Sequence, residues 1–261
     1  MEKRLLFLSL FLVNIACLEA QLIKTKNGIL LKNLASSTHT LELEVISSNI
    51  IHLIASPTGN FTNKDSLSTH FSEKHKFYIR IESENILIRT DSLFVFIDSN
   101  NGKVTFKDNV NNLLLQEKNR LYKPSKDVSG SWSIKQEFNW APDELLYSFL
   151  KVNGSNSNIR GKQIDLLQQD MDNDYPLISS SKGYAILWYN NSLNRFCDIN
   201  DNNFLWSEKA NFVDYYFLYA TSAHQLITNY KTLISKFTKI TNTTMGYMQP
   251  KDGNRVHENV H

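Results

Sequence analysis

The chain has 261 residues, which is long enough for one large β domain or two small domains. Its 28 basic and 26 acidic residues give a net charge of only +2, and no run of Lys and Arg is long enough to form a phosphate-binding patch. Composition and charge therefore exclude a protein that binds nucleic acid through a basic surface, and they select no other class of partner.

Residues 1–20 form a separate segment at the start of the chain. Charged residues 2–4 precede an almost wholly apolar run over residues 5–16, and the segment ends on the small residue Ala20. This pattern predicts a signal peptide that is cleaved after Ala20, and hence an exported protein in the periplasm or outside the cell. The alternative is lipoprotein processing before Cys17, which would attach a lipid anchor there and place the protein at an outer membrane. The apolar run is too short to span a bilayer.

Short strands separated by turn signals recur along most of the remaining chain. Residues 41–45 alternate between apolar and polar side chains, and residues 93–97 are continuously apolar, which is typical of a strand covered on both faces. The Asn101-Gly102 dipeptide follows and predicts a two-residue hairpin turn. Further strands are predicted at residues 50–54, 77–81, 86–89, 104–106, 164–167, 184–188 and 214–219. This organisation predicts an all-β sandwich.

Two other kinds of segment accompany these strands. Stretches rich in Asn and Ser at residues 56–72, 153–158 and 190–203 are predicted to be loops. Ser222 precedes a run whose apolar side chains have helical spacing, and Ser222 with Gln225 has the spacing of a capping box. One amphipathic helix is therefore predicted to close the domain, and the pattern weakens after residue 236. The apolar positions of this helix are Leu226, Ile227, Tyr230, Leu233 and Ile234.

Histidine and cysteine offer no catalytic or metal-binding constellation. His257 and His261 have the spacing of two zinc ligands on a helix, but they lie in a polar tail without a third ligand. The other histidines are predicted to be solvated or to lie on edge strands. Removal of the signal peptide leaves Cys197 as the only cysteine, which is predicted to be an ordinary half-buried strand residue. No metal or other cofactor is predicted.

Acidic and aromatic residues give two weaker signals. Glycoside hydrolysis needs two carboxylates, and adjacent acids occur at Asp143/Glu144, Asp170/Asp172/Asp174 and Asp198/Asp201. Adjacent acids in polar loops are, however, typical of solvated loop residues. Tryptophan occurs at positions 132, 140, 188 and 206, where it either packs in the core or offers a flat surface to a sugar, and strand positions favour the core.

Five segments in order resemble one known family. Residues 136–147 (QEFNWAPDELLY) resemble its F-x-x-x-x-D-E-x-L-Y-G segment, and residues 158–162 (NIRGK) match its N-x-R-G-K motif. Residues 165–170 (DLLQQD) resemble its v-E-L-x-Q-x-N strand. Residues 175–188 (YPLISSSKGYAILW) and 214–219 (DYYFLY) resemble its i-P-f-l-x-S-S-K-G-Y-G-I-L-W and D-Y-Y-F-i-Y segments. On these motifs the chain resembles the amino-terminal region of glycoside hydrolase family 31, in its bacterial α-xylosidase branch.

The resemblance implies a galactose-mutarotase-like β-sandwich that packs against a (β/α)₈ barrel. That barrel carries two catalytic aspartates of a retaining mechanism, and it needs roughly 200–250 residues. Residues 244–249 (TMGYMQ) resemble its first strand, and too few residues follow for a barrel. The implied division is a signal peptide at 1–20, the sandwich at 21–236, and a remnant of linker and first barrel strand at 237–261. The chain is therefore expected to be inactive alone, unless a separate chain supplies the barrel.

The resemblance also implies where an oligosaccharide or α-glycoside would be contacted. In the family a loop of the sandwich, here residues 168–174, reaches over the barrel mouth. Asp170 falls where an acceptor meets sugar hydroxyls, and Gln168 and Gln169 lie beside it. Arg160 either fixes this loop or touches sugar, and Trp140 either packs in the core or forms a platform. The alternative function is a stand-alone exported carbohydrate-binding module.

One family position is altered in a strand of the first half of the chain. The family strand I-I-R-V has become Ile50-Ile51-His52-Leu53, so that His52 stands where the family has Arg.

Overall fold

The structure is a computed structural model that describes residues 20–59, 61, 75–126, 130–148, 158–166 and 176–244, with side chains as far as residue 235. These residues form two antiparallel sheets and one helix, which confirms the predicted all-β sandwich with a closing helix. Residues 1–19 of the predicted signal peptide and residues 245–249 of the predicted first barrel strand lie outside the described residues.

The first sheet has eight strands. Its order from edge to edge is β1 (Gln21–Lys24), β2 (Gly28–Lys32), β3 (Thr40–Ser47), β4 (Ile50–Ser56), β17 (Val213–Tyr219), β14 (Tyr184–Trp188), β13 (Leu177–Ser180) and β11 (Leu146–Ser148). The central strands are buried along their whole length, because one face meets the second sheet and the other carries a second apolar cluster.

The second sheet has nine strands. Its order is β12 (Gln163–Leu166), β15 (Asn194–Ile199), β16 (Asn202–Ala210), β10 (Trp132–Asn139), β9 (Leu113–Pro124), β8 (Val104–Asp108), β7 (Leu93–Asp98), β6 (Asn85–Arg89) and β5 (Tyr78–Ile81). Most of its strands alternate between buried and more exposed side chains, as expected of a sheet with one face on the core.

A charged pair lies inside the core between the two sheets. Glu117 and Arg120, 3% and 5% exposed, bind each other, and Arg120 also donates to Gln136 at 2.8 Å and to the Gly102 carbonyl at 2.9 Å. The Tyr215 hydroxyl donates to Glu117 Oε1 at 2.8 Å. Since a buried charge is tolerated only when it is paired and hydrogen-bonded, this network explains how two ions lie in an otherwise apolar interior.

Strand β7 corrects two predictions. The run at residues 93–97 is not covered on both faces, because Phe94 and Phe96 point away from the core and are only half-buried. Asn101 does not form a two-residue turn with Gly102. The side chain of Asp98 accepts the backbone N–H of Asn100 at 2.8 Å and of Asn101 at 3.1 Å, which shapes a longer loop in which only Gly102 has positive φ, at 71°.

The helix α1 (Ala223–Thr244) begins where the sequence predicts and runs eight residues beyond position 236. The Ser222 hydroxyl accepts the Gln225 N–H at 3.2 Å, but the Gln225 side chain turns to the N–H of Thr221 at 2.9 Å rather than to that of Ser222. Leu226 and Leu233 are buried against the outer face of the eight-stranded sheet, whereas Ile227 remains 40% exposed. In the described part of the chain, no helix has the length and apolar character needed to cross a membrane.

Several strands were not predicted. Polar side chains interrupt β9, β10 and β16, so that their alternation is hard to recognise without knowing their partners. The asparagine-rich stretch at 190–203, predicted as a loop, contains β15 and the start of β16. Cys197 lies on β15 and is 4% exposed, more deeply buried than the sequence suggested.

Candidate functional site

A buried carboxylate organises the end of the sandwich where the D-E segment lies. Glu144 is 2% exposed, and its Oε1 accepts from the hydroxyl of Ser180 at 2.5 Å and from that of Tyr184. Its Oε2 accepts the backbone N–H of Ala141 at 2.9 Å. Burial, together with the charge of Glu144, raises the pKa of Tyr184 well above its ordinary value, so that this tyrosine stays a donor. Both oxygens are occupied, which makes Glu144 a structural residue.

Arg160 lies beside this carboxylate and joins three segments. Its Nε donates to Asp198 at 2.7 Å, and its Nη1 donates to the backbone carbonyls of Ala141 at 2.9 Å and of Glu144 at 3.1 Å. Asp198 also accepts the Gly161 N–H at 2.7 Å. The sequence left two roles open for Arg160, a structural one and contact with a sugar. These contacts support the structural role.

The S-S-K-G-Y segment completes this cluster through the backbone. Gly183 has φ of 82°, and a Cβ atom there would lie 2.7 Å from the carbonyl oxygen of Ala220. The Ala220 N–H donates to the Gly183 carbonyl at 2.8 Å. Only glycine fits a left-handed conformation with such a close approach. The D-E, R-G and S-S-K-G-Y segments thus meet at one place, and there they hold the sandwich together.

Trp140 is part of the core. Its side chain is 6% exposed, and its ring lies 5.7 Å from that of Phe138 and 5.3 Å from that of Phe196, measured between centroids. Its indole N–H makes no hydrogen bond to the described part of the chain. A ring enclosed in this way does not present a face to a sugar, so that the structure supports the first of its two predicted roles.

The predicted sugar-contacting residues Gln168, Gln169 and Asp170 lie outside the described residues. The residues that flank them do not lie near the buried carboxylate. Leu166 ends β12 opposite the start of β15, and the carbonyl of Pro176 accepts the N–H of the last residue of β14 at 2.8 Å. Leu166 and Pro176 therefore both lie at the end of the sandwich opposite Glu144, which we call the loop end.

The loop end contains a buried polar network that the sequence did not reveal. The Trp188 indole N–H donates to the Ser207 hydroxyl at 2.7 Å, and this hydroxyl donates to Asn194 Oδ1 at 2.6 Å. The Asn194 amide donates to the Asn190 carbonyl at 2.9 Å. Trp188, Asn194 and Ser207 have no exposed surface. The network joins the two sheets and fixes the turn after β14, but its asparagines resemble loop residues in the sequence.

A polar groove opens at the loop end. It has a volume of about 350 Å³, and its lining includes Tyr189, Asn191, Lys209, Asn211 and Asp214. Amide, ammonium and carboxylate groups next to an aromatic ring are a suitable set of donors and acceptors for a ligand rich in hydroxyl groups. The groove is therefore a candidate binding site.

A buried histidine lies beneath this groove, on the outer face of the eight-stranded sheet. His52 is 1% exposed and lies between Glu44 Oε2 at 3.1 Å from its Nδ1 and Asp214 Oδ1 at 2.7 Å from its Nε2. The ring of Tyr216 stacks on it, with centroids 4.0 Å apart. The prediction of a solvated or edge-strand histidine is wrong here, because β4 is a central strand. No local pattern in the sequence marked His52 as part of such a cluster.

The charge of this cluster follows from its geometry. Burial alone lowers the pKa of His52, but the charge and hydrogen bond of Asp214 and those of Glu44 outweigh it and raise the pKa to about 9. His52 is thus an imidazolium at neutral pH. No group of three or more His, Cys, Asp or Glu side chains in the described ranges is arranged to hold a metal ion.

Comparison with known proteins agrees with this architecture. No protein-family model matches the chain. An α-xylosidase of Saccharolobus solfataricus is 28% identical over 232 residues, which are 84% of this chain and 32% of that enzyme. The chain thus spans about a third of the length of this relative.

Solved structures show the same fold. An α-xylosidase of family 31 from a soil metagenome, in complex with xylose, aligns with a TM-score of 0.60 and 20% identity over 77% of this chain and 32% of that one. A family 31 dextranase of Flavobacterium johnsoniae, in complex with glucose, aligns with a TM-score of 0.64 and 19% identity over 81% of this chain and 27% of that one. In sequence and in fold, the chain is similar to the amino-terminal β-sandwich region of family 31 glycoside hydrolases, as its motifs indicate.

Proposed function

We propose that the chain acts as the amino-terminal, carbohydrate-associated domain of a retaining α-glycosidase of the α-xylosidase or α-glucosidase type, and that these residues hydrolyse no glycoside unaided. The observation that carries the proposal is the meeting of the family motifs around Glu144 and Arg160. Their side chains hold strands and loops together, which is the role of a supporting domain.

The carboxylates of the described residues support the second half of the proposal. A glycosidase needs one carboxyl group that donates a proton and a second that attacks or activates water. Glu144 is occupied by three donors, and Asp198 is occupied by Arg160 and Gly161. Asp143 is exposed and lies 3.5 Å from Lys182. Glu144 and Asp198 are therefore held in structural contacts and Asp143 lies on the surface, which supports the absence of a catalytic pair among these three carboxylates.

An assay with chromogenic substrates tests this proposal. The purified chain is incubated with 4-nitrophenyl α-xyloside and α-glucoside, and the full-length Saccharolobus solfataricus α-xylosidase serves as the positive control. We expect no release of nitrophenol by the chain above the rate in buffer. Release that copurifies with the folded chain and is lost on its denaturation would contradict the proposal.

Sequencing of the gene beyond codon 261 tests where the catalytic part resides. An open reading frame for a (β/α)₈ barrel directly downstream, in the same or another frame, is the expected result. If the downstream sequence is unrelated, the remaining alternative is a barrel on a separate chain. A pull-down with the tagged sandwich should then recover that chain. If neither is found, the assignment as part of a glycosidase fails.

A stand-alone exported carbohydrate-binding module is the second candidate, and the polar groove at the loop end favours it. Calorimetry with neutral xylo- and gluco-oligosaccharides distinguishes the two. A module binds them saturably and loses binding when Asn191→Ala removes an amide from the groove. A supporting domain shows no saturable binding of neutral sugars in isolation.

Export is proposed from the first residues alone. A charged start, an apolar run and a small residue at position 20 have the organisation of a signal peptide. Mass spectrometry of the protein recovered from the periplasm or medium should give a chain that begins at Gln21. A mature chain that begins at an acylated Cys17 would instead establish the lipoprotein alternative.

A further inference from the structure

The outer face of the nine-stranded sheet carries a series of aromatic rings, each with a cation above it. Every cation–π contact found among the described residues lies on this face. The distances from cation to ring centroid are 4.5 Å for Lys135 over Phe204, 5.2 Å for Lys107 over Phe96, and 5.4 Å for both Arg89 over Phe94 and Arg195 over Trp206. Half-exposed rings with cations above them form a flat aromatic surface that also carries positively charged groups.

The two ends of this face differ in whether the cations above the rings have acidic partners. At the β15–β16 end each cation has an acidic partner, since Arg195 binds Asp165 at 2.6 Å and Lys135 binds Glu137 at 2.7 Å. At the β5–β8 end neither Arg89 nor Lys107 has an acidic partner in the described ranges. Only Arg80 has one there, through a contact of 3.2 Å with Glu82 in which both side chains are well exposed. Among the four cations above the rings, only Arg89 and Lys107, at the β5–β8 end, are therefore without an ion-pair partner in the described ranges.

A groove lies at the β5–β8 end of the face. Its volume is about 410 Å³, and it is lined by Tyr78, Arg80, Leu87, Arg89 and Phe94. Tyr78 is opposite Arg89 in the register of β5 and β6, and Arg89 is opposite Phe94 in the register of β6 and β7. A ring, a guanidinium and a second ring thus lie in one row across three strands. Tyr78 is 69% exposed, so that its face is open to a ligand.

We propose that this groove binds a carboxylate-bearing sugar of an acidic oligosaccharide, a chain that contains uronate residues. The face of Tyr78 packs against the apolar face of the pyranose ring. Arg89, held over Phe94, presents parallel N–H groups to the carboxylate, which is the geometry that a guanidinium binds best. Lys107 adds attraction without a fixed contact. The groove shares no residue with the loop-end groove, and this proposal does not depend on the glycosidase assignment.

The ligand pair that tests the proposal differs only in charge. Binding of tetragalacturonate to the purified chain is measured by calorimetry and compared with that of its methyl ester, in which the same sugar rings are neutral. We expect saturable binding of the acid that weakens as salt increases, and at least about tenfold weaker binding of the ester. Equal binding of both would show that charge is not recognised, and no saturable binding of the acid would overturn the proposal outright.

Two variants locate the site on the sheet. Arg89→Gln removes the unpaired guanidinium and should weaken binding of the acid about tenfold, and Tyr78→Ala should weaken it similarly. Arg195→Gln is the matched control, because Arg195 lies over a ring at the same distance but is neutralised by Asp165. Equal losses in the Arg89 and Arg195 variants would overturn the location. Sedimentation that shows a dimer dispersed by Tyr78→Ala would instead assign the groove to a second copy of the chain.

Discussion

The outer faces of the two sheets hold charged side chains in opposite environments, one buried and one exposed to water. On the eight-stranded sheet His52, Glu44 and Asp214 are buried and bound to one another. On the nine-stranded sheet Arg89 and Arg195 lie over aromatic rings and remain in contact with water. A buried ion depends on its partner, because water cannot replace that partner, whereas an exposed ion does not. The first face should therefore be sensitive to single substitutions, and the second should be tolerant of them.

Removal of the buried imidazolium should have the largest effect. His52→Ala leaves Glu44 and Asp214 side by side without a cation, and breaking a buried ion pair from one side costs about 3–5 kcal/mol. The free energy of unfolding in urea measures this loss. His39→Ala is the control, since His39 is only half-buried. A change below about 1 kcal/mol for His52→Ala would show that the cluster is hydrated rather than sealed.

The same cluster predicts a loss of stability in alkali. The pKa of His52 is raised from 6.5 to about 9 in the folded chain, so that its contribution is fully present below pH 6.5 and is lost as the pH rises through about 9. The shift corresponds to about 3 kcal/mol. The free energy of unfolding should therefore fall between about pH 7 and pH 10. His52→Arg, which keeps a positive charge at every ordinary pH, should flatten this slope, and an unchanged slope would assign it to other groups.

Removal of one neutral hydrogen-bond donor to a buried carboxylate should destabilise the protein by an intermediate amount. Tyr184→Phe removes one of the three donors of Glu144 and leaves the ring in place, and a hydrogen bond to a charged group contributes about 1.5–3 kcal/mol. Thermal and urea unfolding measure the difference. Tyr147→Phe is the control, because the hydroxyl of this half-buried tyrosine makes no hydrogen bond within the described residues. Equal effects of the two substitutions would show that Glu144 is held by Ser180 and Ala141 alone.

The sequence predicted the elements whose pattern is local. The alternation at residues 41–45 and the helical spacing after Ser222 depend only on near neighbours, and β3 and α1 appear where they were expected. The motifs also predicted the fold correctly, because their order is a property of the chain. The roles of individual motif residues could not be derived from the order of the motifs. Arg160 fixes the chain because Asp198, 38 positions away, is brought beside it by the pairing of β12 with β15.

The candidate site was predicted less well for the same reason. Asn194 and Ser207 are polar in a stretch that resembles a loop, and only the pairing of β15 with β16 brings them to Trp188. His52 belongs to a charge cluster because β4 lies between β3, which carries Glu44, and β17, which carries Asp214. Contacts of this kind are set by which strands become neighbours, and strand pairing over 162 positions leaves no local pattern in the sequence.

Substitution on the outer face of the nine-stranded sheet should have the smallest effect on stability. Arg195→Gln removes a cation that lies over Trp206 and binds Asp165, but its side chain is 33% exposed and that of Asp165 is 46% exposed. Exposed cation–π and ion-pair contacts each contribute up to about 1 kcal/mol, so that the loss should stay near or below this value. Urea unfolding of this variant beside His52→Ala compares the two faces directly. A loss of several kcal/mol would mean that Arg195 is as enclosed as His52, and that both outer faces of the sandwich are covered in the folded protein.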